Sequence, residues 1–141
     1  MATIGIRRTF DAAHRLFNHL GKCHNLHGHT YIIEIVVGGE ERDGGMVLDF
    51  YLLSQVIQEE LNNWDHRVIL QRVDPLVDLL CSGALDCCIM LMDDEPTVEH
   101  LAARIAGDLG LTLGTHGVEL ISIRLYETPN CWADKHFQGE L

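Results

Sequence analysis

Two histidines two residues apart, His27 and His29, open an apolar stretch that runs Tyr31-Ile32-Ile33-Glu34-Ile35-Val36-Val37. Side chains alternate along a strand with period two, so both imidazoles lie on one face and can address a single ion. Gly28 between them faces the other way, where a bulky side chain is unwelcome. A third histidine, His14, follows a run in which Ile4, Ile6, Arg8 and Phe10 mark a preceding strand. If the two strands pair as a hairpin, His14 completes a three-histidine zinc site with its fourth position open. Such openness marks catalytic zinc; structural zinc is closed off by four protein ligands. Cys23 stands four residues before His27, where it can act as fourth ligand or as a reactive thiolate beside the metal. Alone, an H-x-H pair is a weak signal, because exposed or core histidines account for most of them, and the rest of the chain must decide.

At 141 residues, the chain is expected to form one domain (1–141) with a core of its own. No apolar run approaches the roughly 18 residues of a membrane span. The opening MATIGIRRTF lacks the apolar segment of a secretory signal, so a cytoplasmic protein is expected. The five cysteines (23, 81, 87, 88 and 131) form an odd set without a C-x-x-C pair. That argues against a disulfide framework and suits a reducing compartment. Cys87 and Cys88, adjacent in an apolar run, read as buried thiols. A formal net charge of -11 argues against a nucleic-acid partner. Residues 1–33 nevertheless carry Arg7, Arg8, Arg15 and Lys22 against Asp11 alone, a local balance of +3. That basic end suits an anionic small-molecule substrate, although solvated charge at strand ends explains it equally well.

Along the chain, 3–10 and 29–38 alternate as strands, 15–26 reads as irregular, and Met46-Val47-Leu48 can extend a strand. Asp49 stands where a helix cap belongs, and Leu52, Leu53, Val56, Ile57 and Leu61 recur at helical spacing, predicting a helix over 50–63. The stretch 68–94 has apolar clusters without a readable period. A second helix opens after Thr97 and is expected to end at Gly110, with Val98, Leu101, Ala102, Ile105 and Leu109 as its buried stripe. Residues 118–127 alternate as a strand, and 128–141 can add a short last one. The order predicts an α+β domain: an antiparallel sheet with two helices on one face.

Three further places carry chemistry. In Asp65-His66 a carboxylate could fix the imidazole tautomer for proton relay, but adjacent residues bond poorly unless the backbone bends. Glu127, ending a strand, could accept two parallel N–H donors from a heterocycle with an amide beside an exocyclic amine. Thr97 reads as a helix cap whose backbone could also line a ligand pocket.

Taken together, these pieces resemble the 6-pyruvoyl-tetrahydropterin synthase family, most of all its bacterial 6-carboxytetrahydropterin synthase branch in the queuosine pathway. The matching motifs are Phe10-Asp11-Ala12-Ala13-His14, Cys23-x-x-x-His27-Gly28-His29, Gly45-Met46-Val47-Leu48-Asp49-Phe50, Asp65-His66, Pro96-Thr97-Val98-Glu99 and Glu127-Thr128. Each is weak singly; six in order across residues 10 to 128 are specific.

The resemblance implies a tunnelling fold in which three subunits close a barrel and two such rings make a hexamer. It implies sites at subunit boundaries, so that Asp65 and His66 serve the metal of a neighbouring chain. By carry-over, His14, His27 and His29 hold zinc, Cys23 accepts a proton, Asp65 and His66 relay protons, and Glu127 anchors the pterin. The implied substrate is 7,8-dihydroneopterin triphosphate, and the implied product 6-carboxy-5,6,7,8-tetrahydropterin, with loss of acetaldehyde and triphosphate. The close alternative is a 6-pyruvoyl-tetrahydropterin synthase releasing triphosphate only; a different class of answer is a non-catalytic zinc or pterin-binding module. Arg15 and Lys22 are candidate triphosphate contacts, and Thr97 a candidate substrate contact. The chain departs from the family pattern at Trp64, where leucine is common, at His100, where asparagine is frequent, and in a longer 71–94 segment. Leu26 stands where glutamate marks a subgroup of altered chemistry, which disfavours that subgroup.

Overall fold

The computed structural model describes residues 1–83 and 88–137. Two long strands, β1 (Ala2–His14) and β2 (His27–Gly39), pair antiparallel without interruption from Ala2 opposite Gly39 to His14 opposite His27. Both outrun their sequence-expected limits because each finds a partner along its full length. After β2 come helix α1 (Phe50–Leu61), β3 (Arg67–Gln71), helix α2 (Leu76–Cys81), β4 (Ile89–Met92), helix α3 (Val98–Thr115), β5 (Glu119–Thr128) and β6 (Cys131–His136). They form a six-stranded sheet in the order β4-β3-β1-β2-β5-β6.

The α+β class holds. Within it, the sheet is mixed, since β3 runs parallel to both β1 and β4, and a third helix, α2, carries the β3–β4 crossover that a parallel pair requires. This is the stretch without a readable period. β3 buries consecutive residues, Ile69 and Leu70, so it lacks the alternation of a one-sided strand, and α2 buries none of its residues. Met46 to Leu48 does not extend a strand. Instead the Arg42 N–H donates to the Met46 carbonyl and the Gly45 N–H to the Arg42 carbonyl, forming a turn in which Gly44 and Gly45 hold φ of 90° and 78°.

One sheet face holds the core. Phe10 and Ala12 of β1, Tyr31, Ile33, Ile35 and Val37 of β2, and Ile123 and Leu125 of β5 meet the apolar faces of α1 and α3 there. Each large apolar side chain among them contributes roughly 1.5–3 kcal/mol by leaving water. The Asp49 carboxylate caps α1 by accepting from the Tyr51 N–H at 2.7 Å. Helix α3 runs past Gly110 to Thr115 because Leu109 and Leu113 continue the buried stripe of Leu101 and Ile105. That burial outweighs the roughly 1 kcal/mol by which a helical glycine disfavours the element. The true stop is Gly117, at φ 73°: the Val118 N–H reaches the Leu113 carbonyl and the Gly117 N–H the Gly114 carbonyl, a Schellman close.

The buried Trp64 donates its indole N–H to Glu60 at 2.9 Å, which supplies the partner that a leucine there would not need. Of the paired thiols expected to be buried, Cys88 is half-buried and Cys87 lies outside the described residues, as does the end of the tail, 138–141. No described helix is long and apolar enough to cross a membrane.

Candidate metal centre and pterin site

The β1–β2 register places His14 directly opposite His27, and Ala12 opposite His29. Because 14, 27 and 29 all fall on the core-facing side of their strands, the three rings converge at the loop end of the hairpin. Their centroids stand 4.7, 5.1 and 4.9 Å apart, and one donor atom from each lies within 4.8 Å of the others.

Two of the three tautomers are fixed from behind. His14 Nδ1 lies 2.7 Å from the Pro96 carbonyl and His27 Nδ1 2.6 Å from the Asn25 carbonyl. A carbonyl only accepts, so each Nδ1 carries the proton and each Nε2 keeps its lone pair. His14 is almost fully buried, and Nε2 of His14 and of His29 are buried with no hydrogen bond among the described residues. Burial pushes His14 below the ordinary imidazole value, against the opposing pull of the Pro96 bond and Glu127. Burial likewise lowers His29, with Glu127 opposing and His27 assisting. Three converging imidazoles, two of them oriented by carbonyls at Nδ1, fit a divalent cation that takes nitrogen ligands.

Glu127 closes one side of this cluster, its Oε1 3.3 Å from His29 Nε2. It stands one step beyond the Ile32–Tyr126 pair of the β2–β5 ladder, on the core-facing side. Cys23 lies in a 3₁₀ turn, Lys22–His24, ahead of β2 and is half-buried; its sulfur is not in the group of three donors. The loop that carries it is tied down by bonds from the Leu16 N–H to the Cys23 carbonyl, from His24 Nδ1–H to the Phe17 carbonyl, and from the Asn18 N–H to the Glu95 carboxylate.

Asp65 and His66 lie elsewhere. The Asp65 carboxylate accepts from the Asp11 N–H at 2.9 Å, and the His66 N–H donates to the Asp11 carbonyl at 2.6 Å. The Asp11 N–H bond holds Asp65 below the usual carboxylate range, with burial opposing and His66 assisting. With Asp11 the pair makes a second donor group, separate from the histidines. Asp11 and His14 differ by an odd number of residues on one strand, so the two groups belong to opposite sheet faces.

Arg15 is engaged: its Nε donates to Asp74 at 2.8 Å and its Nη2 to the other oxygen, and the Asp74 side chain is fully buried. Lys22 is exposed. The Thr97 hydroxyl caps α3 by accepting from His100 N–H at 3.2 Å, and its own N–H donates to the Glu95 carbonyl. The residue that serves the cluster from this segment is the neighbouring Pro96, through its carbonyl. Sequence reasoning missed the carbonyls of Pro96 and Asn25, whose role no residue type or spacing signals.

A family model described as 6-pyruvoyl tetrahydropterin synthase matches residues 3–136. Proteins named 6-carboxy-5,6,7,8-tetrahydropterin synthase from Rickettsia conorii and Rickettsia felis are each 34% identical over 131 residues, 91% of this chain and 95% of theirs. Among solved structures, an uncharacterised protein from Wolinella succinogenes superposes with a TM-score of 0.80 at 22% identity, over 98% of this chain and 100% of that one. The 6-pyruvoyl tetrahydropterin synthase of Plasmodium vivax superposes with a TM-score of 0.75 at 17% identity, over 96% and 97%; likenesses this distant speak to the fold alone. With the sequence match spanning the histidine cluster, the Asp65-His66 turn and Glu127, the chain belongs to the 6-pyruvoyl tetrahydropterin synthase family.

Proposed function

We propose that the chain is a zinc-dependent lyase that converts 7,8-dihydroneopterin triphosphate and water to 6-carboxy-5,6,7,8-tetrahydropterin, acetaldehyde and triphosphate. A tetrahydropterin synthase activity is the coarser statement, and the family match supports it. The observation that carries the finer one is the triangle of His14, His27 and His29, in which two buried Nε2 atoms make no hydrogen bond among the described residues.

When bound, zinc acidifies side-chain hydroxyls of the substrate, as it does a bound water. The remaining roles belong to the protein. Cys23, half-buried and outside the donor group, accepts a proton as the thiolate. Glu127 takes the amide N–H and exocyclic amine of the pterin ring as a bidentate acceptor. Asp65 fixes His66 to relay protons, and because the pair belongs to the opposite sheet face from the triangle, it serves the site of a neighbouring subunit. Lys22, exposed and without an ion-pair partner among the described residues, meets the triphosphate; Arg15 holds the loop through Asp74. Thr97 contributes to the substrate wall through the cap that sets Pro96.

A homo-oligomer, trimer or hexamer, accords with β4 and β6 as unpaired sheet edges. A single catalytic domain in the cytoplasm accords with the shared core and with the free thiols of Cys23, Cys81 and Cys131.

Product analysis after incubating the zinc-loaded protein with 7,8-dihydroneopterin triphosphate tests the proposal. Acetaldehyde together with 6-carboxytetrahydropterin is expected. A retained three-carbon side chain would assign the pyruvoyl reaction instead, and pterin binding without turnover would leave only a binding module.

A further inference from the structure

The loop between β1 and β2, residues 15–26, carries Cys23, yet none of its residues is buried. With no side chain locked into the core, polar bonds must set its shape, because ordering a backbone costs entropy that contacts have to offset. Within the loop, the Leu16 N–H donates to the Cys23 carbonyl at 2.8 Å, and His24 Nδ1–H donates to the Phe17 carbonyl, also at 2.8 Å. Two bonds reach distant parts of the chain. The Asn18 N–H meets the Glu95 carboxylate at a long 3.3 Å, and Arg15 forks onto Asp74, Nε to Oδ2 at 2.8 Å and Nη2 to Oδ1.

Asp74 is firmly seated at the corner between β3 and α2. Its N–H donates to the Gln71 carbonyl at 2.9 Å and its carbonyl accepts from the Val77 N–H at 3.0 Å. Its Oδ1 also accepts from the Leu76 N–H at 2.8 Å. The Asp74 side chain is fully buried, and that of Arg15 is 17% exposed. A buried ion pair is a poor source of net stability, since desolvating both charges offsets most of their attraction. What such a pair can supply is one fixed arrangement: two parallel bonds from a planar guanidinium define distance and angle together. Leu16, the next residue along, passes that arrangement to the Cys23 carbonyl.

We propose that Asp74 is a positioning residue for Cys23: through the Arg15 fork and the Leu16–Cys23 bond, it fixes the backbone that carries the thiol relative to the sheet. The long segment 71–94 thereby takes a part in the site, anchoring the loop from outside it. The inference rests on the proposed function for the role of Cys23 as proton acceptor. The anchoring itself concerns only Asp74, Arg15, Leu16 and Cys23. Its value to the reaction is geometric, because a displacement of about 1 Å at a reacting group can cost on the order of 10²-fold in rate.

Asp74→Asn and Arg15→Lys, each close in size to the residue it replaces, form the test. Ile105→Val, a change in the buried stripe of α3, serves as a control that lowers Tm without touching the loop. Amide hydrogen exchange at Leu16 in the zinc-loaded protein is expected to quicken about tenfold in both loop variants, the scale of one charged hydrogen bond lost. In Ile105→Val it should keep the parent rate. Turnover gives the second readout: kcat per bound zinc should fall about 10–10²-fold in both loop variants, by more than KM rises, and should hold in Ile105→Val. Parent-like exchange at Leu16 or undiminished kcat in Asp74→Asn overturns the positioning role. An equal response in Ile105→Val also overturns it, leaving the pair a stability element only. So does a KM rise confined to Arg15→Lys with kcat kept, which would turn Arg15 towards the triphosphate. A parent that does not turn over 7,8-dihydroneopterin triphosphate, with the exchange response still confined to the loop variants, overturns the proposed reaction alone.

Discussion

His66 turns back on the residue before it: its Nδ1 lies 3.0 Å from Asp65 Oδ2, and its backbone sits at φ 58°, the left-handed region. Among the described residues it is the one non-glycine so placed. That bend removes the geometric objection to a bond between neighbours. Strain of this kind costs on the order of 1–3 kcal/mol and persists where surrounding structure enforces it. Here the enforcement is visible: both backbone groups of Asp11 are engaged, the N–H by the Asp65 carboxylate and the carbonyl by the His66 N–H.

Replacing His66 should therefore separate stability from activity. His66→Gly relieves the left-handed strain and should be about 1 kcal/mol more stable than His66→Ala. Both should lose about 10²–10⁴ in kcat, the usual share of a positioned acid or base. Undiminished turnover in His66→Ala would rule out the relay.

The placement of the two donor groups on opposite sheet faces predicts complementation between chains. Cys23→Ala and His66→Ala, each inactive alone, should regain part of the activity when co-assembled, because some interfaces then combine an intact Cys23 with an intact His66. Mixed assemblies that stay inactive would place the pair in service of its own chain. Cys23→Ala should also keep its zinc; loss of metal would make Cys23 a ligand.

Arg15 and Asp74 form the most demanding ion pair among the described residues, with the Asp74 side chain fully buried and Arg15 mostly so. Burial pushes Asp74 up, but the Arg15 guanidinium and the Leu76 N–H outweigh it and hold its carboxyl below the usual range. The stability it contributes is thus present above the ordinary carboxylate value and lost as pH falls through the lowered one. Arg15→Ala should destabilise the fold by about 3–5 kcal/mol at neutral pH, the cost of an uncompensated buried charge. Its acid-unfolding midpoint should move to higher pH, whereas Asp74→Asn, which still accepts from Leu76, should lose less.

Gly110 offers a check on what overrides local propensity. It lies inside α3, and no neighbouring heavy atom comes within 4 Å of where an alanine methyl would stand. Gly110→Ala should therefore raise stability by about 0.5–1 kcal/mol, read as a higher Tm with activity unchanged.

How far the sequence reveals this molecule depends on whether a residue's partner is near in the chain or periodic along it. Helix α1 was legible because Asp49 caps it and its apolar residues repeat at helical spacing. The histidine triangle was legible because alternation puts 27 and 29 on one face and hairpin pairing brings up 14. β3 and β4 were not, because parallel strands with consecutive buried residues carry no alternation. The Arg15–Asp74 pair joins residues far apart in sequence, and no local pattern links them. Tyr31 was readable only as core; that its hydroxyl lacks a hydrogen bond among the described residues is a property of the packed structure.

Metal analysis of the purified protein, beside His14→Ala and His29→Ala, tests the central claim most directly: that His14, His27 and His29 together hold one divalent cation on which turnover depends. One zinc per chain is expected in the parent, with metal and turnover lost together in both variants and restored in the parent when zinc is returned after chelation. Full turnover of a rigorously metal-free parent, or undiminished zinc in either variant, would contradict it.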